Sequence, residues 1–143
     1  MSNIEIEIEI PQELMKERIP IMIIQPFVEN SIKYGESEKE VLKILVEAAK
    51  ENDILQICIR DNGEGFENEI LEALNQGKQV IREEKKRIGI QNVRSRLSIL
   101  YGEEAHLSFR NGECGGAIVE IKISKTACVR RNRLEEKNER INY

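Results

Sequence analysis

The sequence predicts an α+β fold: a two-layer sandwich whose mixed, mostly antiparallel sheet carries its helices on one face. Three observations predict it. A strictly alternating stretch, NIEIEIEI (3–10), reads as a strand. Residues 21–34 and 88–102 place apolar side chains at helical spacing. The apolar, β-branched runs 41–49 and 54–60 are joined by turn residues and read as a hairpin, and 105–110 and 117–123 read as strands flanking a Gly-rich turn. The order of strand, helix, two strands, helix, loop, helix and two strands is not the regular βαβα alternation of a Rossmann domain.

Each element has its own justification. In 3–10, Ile4, Ile6, Ile8 and Ile10 share one face and Glu5, Glu7 and Glu9 the other, which predicts a half-buried strand ended by Pro11. The piece to Pro20 is a connector. In 21–34 the expected buried stripe is Ile21, Ile24, Val28 and Ile32, with Gly35 as the stop. Pro26 fits only near a first turn or at a kink. KENDI (50–54) supplies the turn of the first hairpin. FENEILEALNQG (66–77) is a short helix ending at Gly77, and 78–87 is a charged loop without a period. The helix over 88–102 carries Ile90, Val93, Leu97 and Leu100 on one stripe, between Gly89 and Gly102. In 105–110, Ala105, Leu107 and Phe109 face the core and His106 points outward, a surface histidine. NGECGG (111–116) turns the chain into the last strand, and no internal repeat occurs.

Composition narrows the function classes. A chain of 143 residues makes one ordinary domain with a real core, and 40% hydrophobic with 34% charged residues describes a soluble globular protein. No apolar run approaches the ~18–20 residues of a membrane span, and the alternating start is not a signal peptide. The net charge of −4 argues against nucleic acid as a partner. Residues 125–143 form a polar tail with six Lys/Arg against three Glu, so residues 1–124 carry about seven net negative charges. Cys58, Cys114 and Cys128 are odd in number and show no CxxC spacing, which argues against a disulfide framework or zinc site and fits a reducing cytoplasm.

Three stretches carry possible chemistry. In IQPFVENSIKYG (24–35), Pro26, Glu29, Asn30 and Lys33 fall at i, i+3, i+4 and i+7, on one polar face. Amide and carboxylate oxygens suit Mg²⁺, which borrows phosphate oxygens, and a lysine neutralises phosphate. The bland alternative is a solvated face with a Glu29–Lys33 pair worth only ~0.2–0.5 kcal/mol. In RDNGEGF (60–66), Asp61 ends a strand where it can accept a hydrogen bond from a ligand amino group. Gly63 and Gly65 let a ligand approach, though Asp-Asn-Gly is also ordinary turn chemistry. RIGIQNVRSRL (87–97) opens a helix at Gly89, where free amides bind anions. The loop 78–87 before it is placed to close as a lid. No P-loop and no GxGxxG occurs.

In this order, IQPFVENSIKYG, DNGEGF and IGIQNVRSRLSILYG resemble the N, G1 and G2 boxes of the histidine-kinase-type ATP-binding domain of the GHKL superfamily, shared with gyrase and MutL ATPases. The QPFVEN and NVRSRLSILYG forms look most like LytS/YesM-type sensor histidine kinases, over roughly residues 4–124. The resemblance implies the GHKL (Bergerat) fold and a catalytic domain that binds ATP with Mg²⁺. Asn30 is then the Mg²⁺ ligand, Glu29 its polar neighbour, Lys33 lies near the phosphates and Tyr34 packs by the base. Asp61 takes the adenine amino hydrogen bond, Gly63 and Gly65 make room for the ring, residues 78–87 form the ATP lid, and Gly89 with the amides of Ile90 to Asn92 cradles phosphates.

The chain departs from the pattern at Tyr34, where the family often has His, at Arg87, which replaces the first glycine of the G2 box, and at Ala117, where a Thr is common. The Ala117 change predicts the loss of a water-mediated bond to Asp61. Gyrase-like ATPases carry a water-activating Glu four residues before the metal Asn, and here that position is Pro26, which cannot be a base. The resemblance therefore implies transfer of the γ-phosphate to a histidine on a separate dimerisation helix of a longer sensor kinase. The parent is expected to be membrane-anchored, with this domain in the cytoplasm and a response regulator downstream. The competing readings are an anti-sigma-type serine kinase and a degenerate nucleotide-binding scaffold.

Overall fold

The computed structural model describes residues 3–14, 21–34, 41–77 and 88–124. The expected lid 78–87 with Arg87, the tail 125–143 with Cys128, and Gly35 lie outside the described residues. Strand β1 (Asn3–Glu9) is followed by a 3₁₀ turn (Gln12–Leu14), helix α1 (Ile21–Tyr34), strands β2 (Val41–Glu51) and β3 (Ile54–Asp61), helices α2 (Asn68–Asn75) and α3 (Ile88–Tyr101), a second 3₁₀ turn (Gly102–Glu104), and strands β4 (Ala105–Asn111) and β5 (Ala117–Ser124). The sheet order is β1-β2-β3-β5-β4. β1 pairs parallel with β2, and the other three ladders are antiparallel. This is the expected α+β sandwich with a mixed sheet.

The hairpin chemistry follows the residues at the turns. Asn52 and Asp53 connect β2 to β3 with φ of 51° and 64°, the left-handed pair that a two-residue turn between twisted strands requires. Asn62 continues the ladder past β3: its N–H donates to Lys43 O, its Nδ2 donates to Val41 O, and its Oδ1 accepts from Lys43 N. α2 stops where expected, with Gly77 at φ 74° donating its N–H to Leu74 O.

The core lies between the sheet and the helices, and includes Ile23 and Phe27 of α1, Ile44, Val46, Leu55, Ile57 and Ile59 of the central hairpin, Val93 and Leu97 of α3, and Ile121 and Ile123 of β5. Two expectations need correction. The buried row of α1 is Ile23, Phe27 and Ser31, whereas Ile24 and Val28 are partly buried and Ile32 is exposed. The helix is turned by one residue because it packs against the sheet and α3 together, and the row between them is the deepest. β1 is not half-buried. All seven of its residues are exposed, because the helix layer ends over β2.

Phe109 joins the layers. Phe27 and Phe66 meet its ring edge-to-face at centroid distances of 6.1 and 5.9 Å. The Arg94 guanidinium lies over it at 6.0 Å. The same Arg94 donates to Leu74 O, which sets a cation at the C-terminal end of α2, and burial lowers its pKa. Asn75 makes two 2.9 Å bonds with the Phe109 backbone, one in each direction, and so docks α2 on β4.

Candidate functional site

The C-terminal end of β3 delivers Asp61 to the helix-covered face, beside α1. Its register partner Ile44 lies on the same buried side. Three donors hold its partly buried carboxylate. Ser31 of α1 donates its hydroxyl to Oδ2 at 2.8 Å, and the amides of Gly63 and Ala117 donate to Oδ1 at 3.0 and 3.1 Å. A carboxylate has room for about four acceptor bonds, so one remains for a ligand donor. The backbone amide of Ala117 thus bonds Asp61 directly, and needs no side chain at that position to do so.

The loop after Asp61 is built around close backbone contacts. Gly63 is buried. Gly65 has φ 82°, and a Cβ there would lie 2.7 Å from Asn111 Oδ1. That oxygen accepts from Phe66 N at 2.8 Å, while Asn111 Nδ2 donates to Phe66 O at 2.9 Å. The glycine therefore makes room for the protein's own clamp from β4. Gly116, with φ 83°, approaches so closely that a Cβ would stand 2.0 Å from the Asp61 carbonyl oxygen.

The expected α1 residues lie on the same helix as Ser31. Asn30 directly precedes Ser31 and is half-buried. Glu29 is exposed and accepts from Gln25 Nε2 at 3.0 Å, and Lys33 is exposed in the last turn. Tyr34 and Gly89 belong to their helices, and the Tyr34 side chain and the surroundings of Gly89 lie outside what the structure describes. α3 packs against α1. Ile90 sits in the first turn of α3, where N–H groups lack helical carbonyls, while its side chain is in the core. Asn92 begins the next turn and is exposed. Among the described residues no cluster of three His, Cys, Asp or Glu can hold a metal by itself. Sequence reasoning missed Ser31, Asn111 and Gly116. A helical row drawn through Ile23 and Phe27 reaches Ser31, and would have found a hydroxyl on the buried face.

The opposite face of the sheet, which no described helix covers, offers a different environment. A depression of about 490 Å³ is lined by Glu9, Glu47, Gln56, Cys58 and Arg60 among others, and Arg60 is already paired with Glu47 at 3.1 Å. Its carboxylates repel phosphate. Cys58 there is buried, and desolvation raises its thiol pKa despite the neighbouring Arg60, so it is an inert thiol. His106 is exposed on the same face.

Comparison with known proteins places the chain in a family. The chain is 32% identical over 120 residues to the sensor protein LytS of Oceanobacillus iheyensis, covering 81% of this chain and 20% of that protein. It is 28% identical over 120 residues to the sensor protein kinase HptS of Staphylococcus aureus, covering 84% of this chain and 23% of that protein. The chain thus spans about a fifth of the length of these relatives. The fold matches the histidine kinase domain of the blue-light activated histidine kinase of Erythrobacter litoralis EL346 with a TM-score of 0.62 at 17% identity, over 90% of this chain and 57% of that one. Residues 15–127 match the family of histidine kinase-, DNA gyrase B- and HSP90-like ATPases, and the chain belongs to it.

Proposed function

We propose that the chain is the ATP-binding catalytic domain of a two-component sensor histidine kinase. In this reading residues 1–124 form the domain and 125–143 a polar tail. The observation that carries it is the Asp61 carboxylate, held rigid by Ser31, Gly63 and Ala117 with acceptor capacity to spare. A fixed acceptor of this kind selects a donor such as the adenine amino group, because a base lacking that donor would leave the carboxylate short of a bond. The names of its relatives, sensor proteins and a sensor kinase, support the same assignment.

In this reading Asn30, next to Glu29 in the chain, would hold Mg²⁺ together with phosphate oxygens and water, which suits a site with a single amide and no acidic cluster among the described residues. The metal, when bound, neutralises charge on the transferring phosphoryl group. Lys33 lies one helical turn further along α1 and adds a cation. Gly89 and the first-turn amides of α3 receive phosphate oxygens, and 78–87 closes over them. Gly63 and Gly65 shape the base pocket beside Tyr34. With Pro26 four residues before Asn30, α1 supplies no general base there, so transfer rests on positioning and charge neutralisation. The acceptor is a histidine on dimerisation helices outside these residues, since His106 lies on the face away from Asp61. A response regulator then takes the phosphoryl group. No described helix is long and apolar enough to cross a membrane, and we assign the domain to the cytoplasmic side of a membrane-anchored parent.

Calorimetric titration of ATP, with and without Mg²⁺, tests this. Saturable binding that Asp61→Asn abolishes and Asn30→Asp makes Mg²⁺-independent is the expected result. Unchanged binding in both variants would remove the site assignment. No binding at millimolar ATP would favour a degenerate scaffold, with Arg87→Gly the first reversion to try.

A further inference from the structure

The alternating strand that drew attention in the sequence takes no part in the nucleotide site. β1 is an edge strand, hydrogen-bonded to β2 on one side, and among the described residues nothing pairs with its outer side. A row of backbone N–H and C=O groups is therefore available there. Its parallel register sets Ile4, Ile6 and Ile8 beside Leu42, Ile44 and Val46, on the same side of the sheet. The three β2 residues are 6%, 1% and 3% exposed, whereas the three isoleucines are 45%, 51% and 64% exposed. The apolar layer of the core thus runs one strand beyond its helical cover. On the other side of β1 stand Glu5, Glu7 and Glu9, all exposed.

We propose that this edge docks an extended polypeptide segment, from outside this chain, whose side chains alternate apolar and basic. Adding such a strand continues the ladder, covers the isoleucines with its apolar side chains and sets its Lys or Arg opposite the glutamates. Charge selects this occupant over a second copy of the chain. Antiparallel self-pairing about Glu7 would put Glu7 against Glu7 and Glu5 against Glu9, and like charges directly opposite destabilise a sheet. The glutamates therefore guard the edge against itself while favouring a basic strand.

The test uses the full 143-residue chain and three fluorescent peptides: alternating Val and Lys, alternating Val and Glu, and a scrambled Val/Lys control. Anisotropy should show saturable binding of the Val/Lys peptide alone. Amide resonance shifts and slowed amide exchange should map to Asn3–Glu9. Ile6→Lys and Glu7→Lys should each weaken binding about tenfold, with unchanged circular dichroism and unchanged ATP titration. Equal binding of the Val/Glu peptide, or shifts that map elsewhere, would overturn the proposal. So would slow exchange of the outward β1 amides in the free chain, which would mean the chain itself fills the edge. A concentration-dependent dimer through β1 in sedimentation would assign the edge to a second copy instead.

Discussion

Asp61 is fixed from three directions by residues far apart in the chain: Ser31, Gly63 and Ala117. DNGEGF was legible as a special turn because its aspartate and glycines are contiguous. Gly116 was legible only as part of a turn, since its contact with Asp61 is made across β3 and β5 and no local pattern announces it. The neighbouring glycines separate two effects. Gly115 has φ 93°, and a methyl group added there would meet nothing within 4 Å, whereas one added at Gly116 would run into the Asp61 carbonyl. Gly115→Ala is expected to cost about 1–2 kcal/mol, the left-handed strain alone. Gly116→Ala should cost about 1 kcal/mol or more beyond that and displace Asp61. Urea denaturation gives both numbers, and ATP titration should weaken for Gly116→Ala only. Equal costs with equal affinities would mean the close approach is not needed.

At the scale of elements, the strands, helices and hairpins were largely readable, while the orientation of two of them was not. For α1 the 3.6-residue period allows adjacent rows, and only the surfaces it packs against choose Ile23, Phe27 and Ser31 over Ile24, Val28 and Ile32. For β1 the alternation specifies a strand, but nothing in three isoleucines says whether a helix lies above them. The docking of α2 on β4 shows a third kind of information. Asn75 ends α2, where an asparagine is unremarkable, yet its amide satisfies both backbone groups of Phe109. Asn75→Ala strands a donor and an acceptor on a buried residue, and each carries a desolvation cost of about 1–3 kcal/mol. A loss of about 2 kcal/mol or more in urea denaturation is expected. A loss under about 0.5 kcal/mol would mean that water replaces the amide freely.

Taken as a whole, the molecule couples its core to its site through Phe109. That ring touches Phe27, one turn before Ser31, and Phe66, the residue after Gly65, while Arg94 on its face also holds the end of α2. A cavity here should loosen two of the three segments that fix Asp61, those of Ser31 and Gly63. Leu55 provides the contrast, fully buried but near the hairpin end of β3, six residues from Asp61. Phe109→Ala is expected to cost about 3–5 kcal/mol and Leu55→Ala about 2–5 kcal/mol, large fractions of the ~5–15 kcal/mol that hold a domain folded. Both therefore need measurement at low temperature, with ATP affinity corrected for the folded fraction. Bound nucleotide at a hundred times its Kd should return about 2.7 kcal/mol to any variant whose site is intact. The parent chain and Leu55→Ala should both gain that increment in urea, Phe109→Ala should gain less, and Asp61→Asn none. If the two cavities behaved alike, the aromatic cluster would be acting only as filling, and the rigidity of Asp61 would have to come from its own three hydrogen bonds.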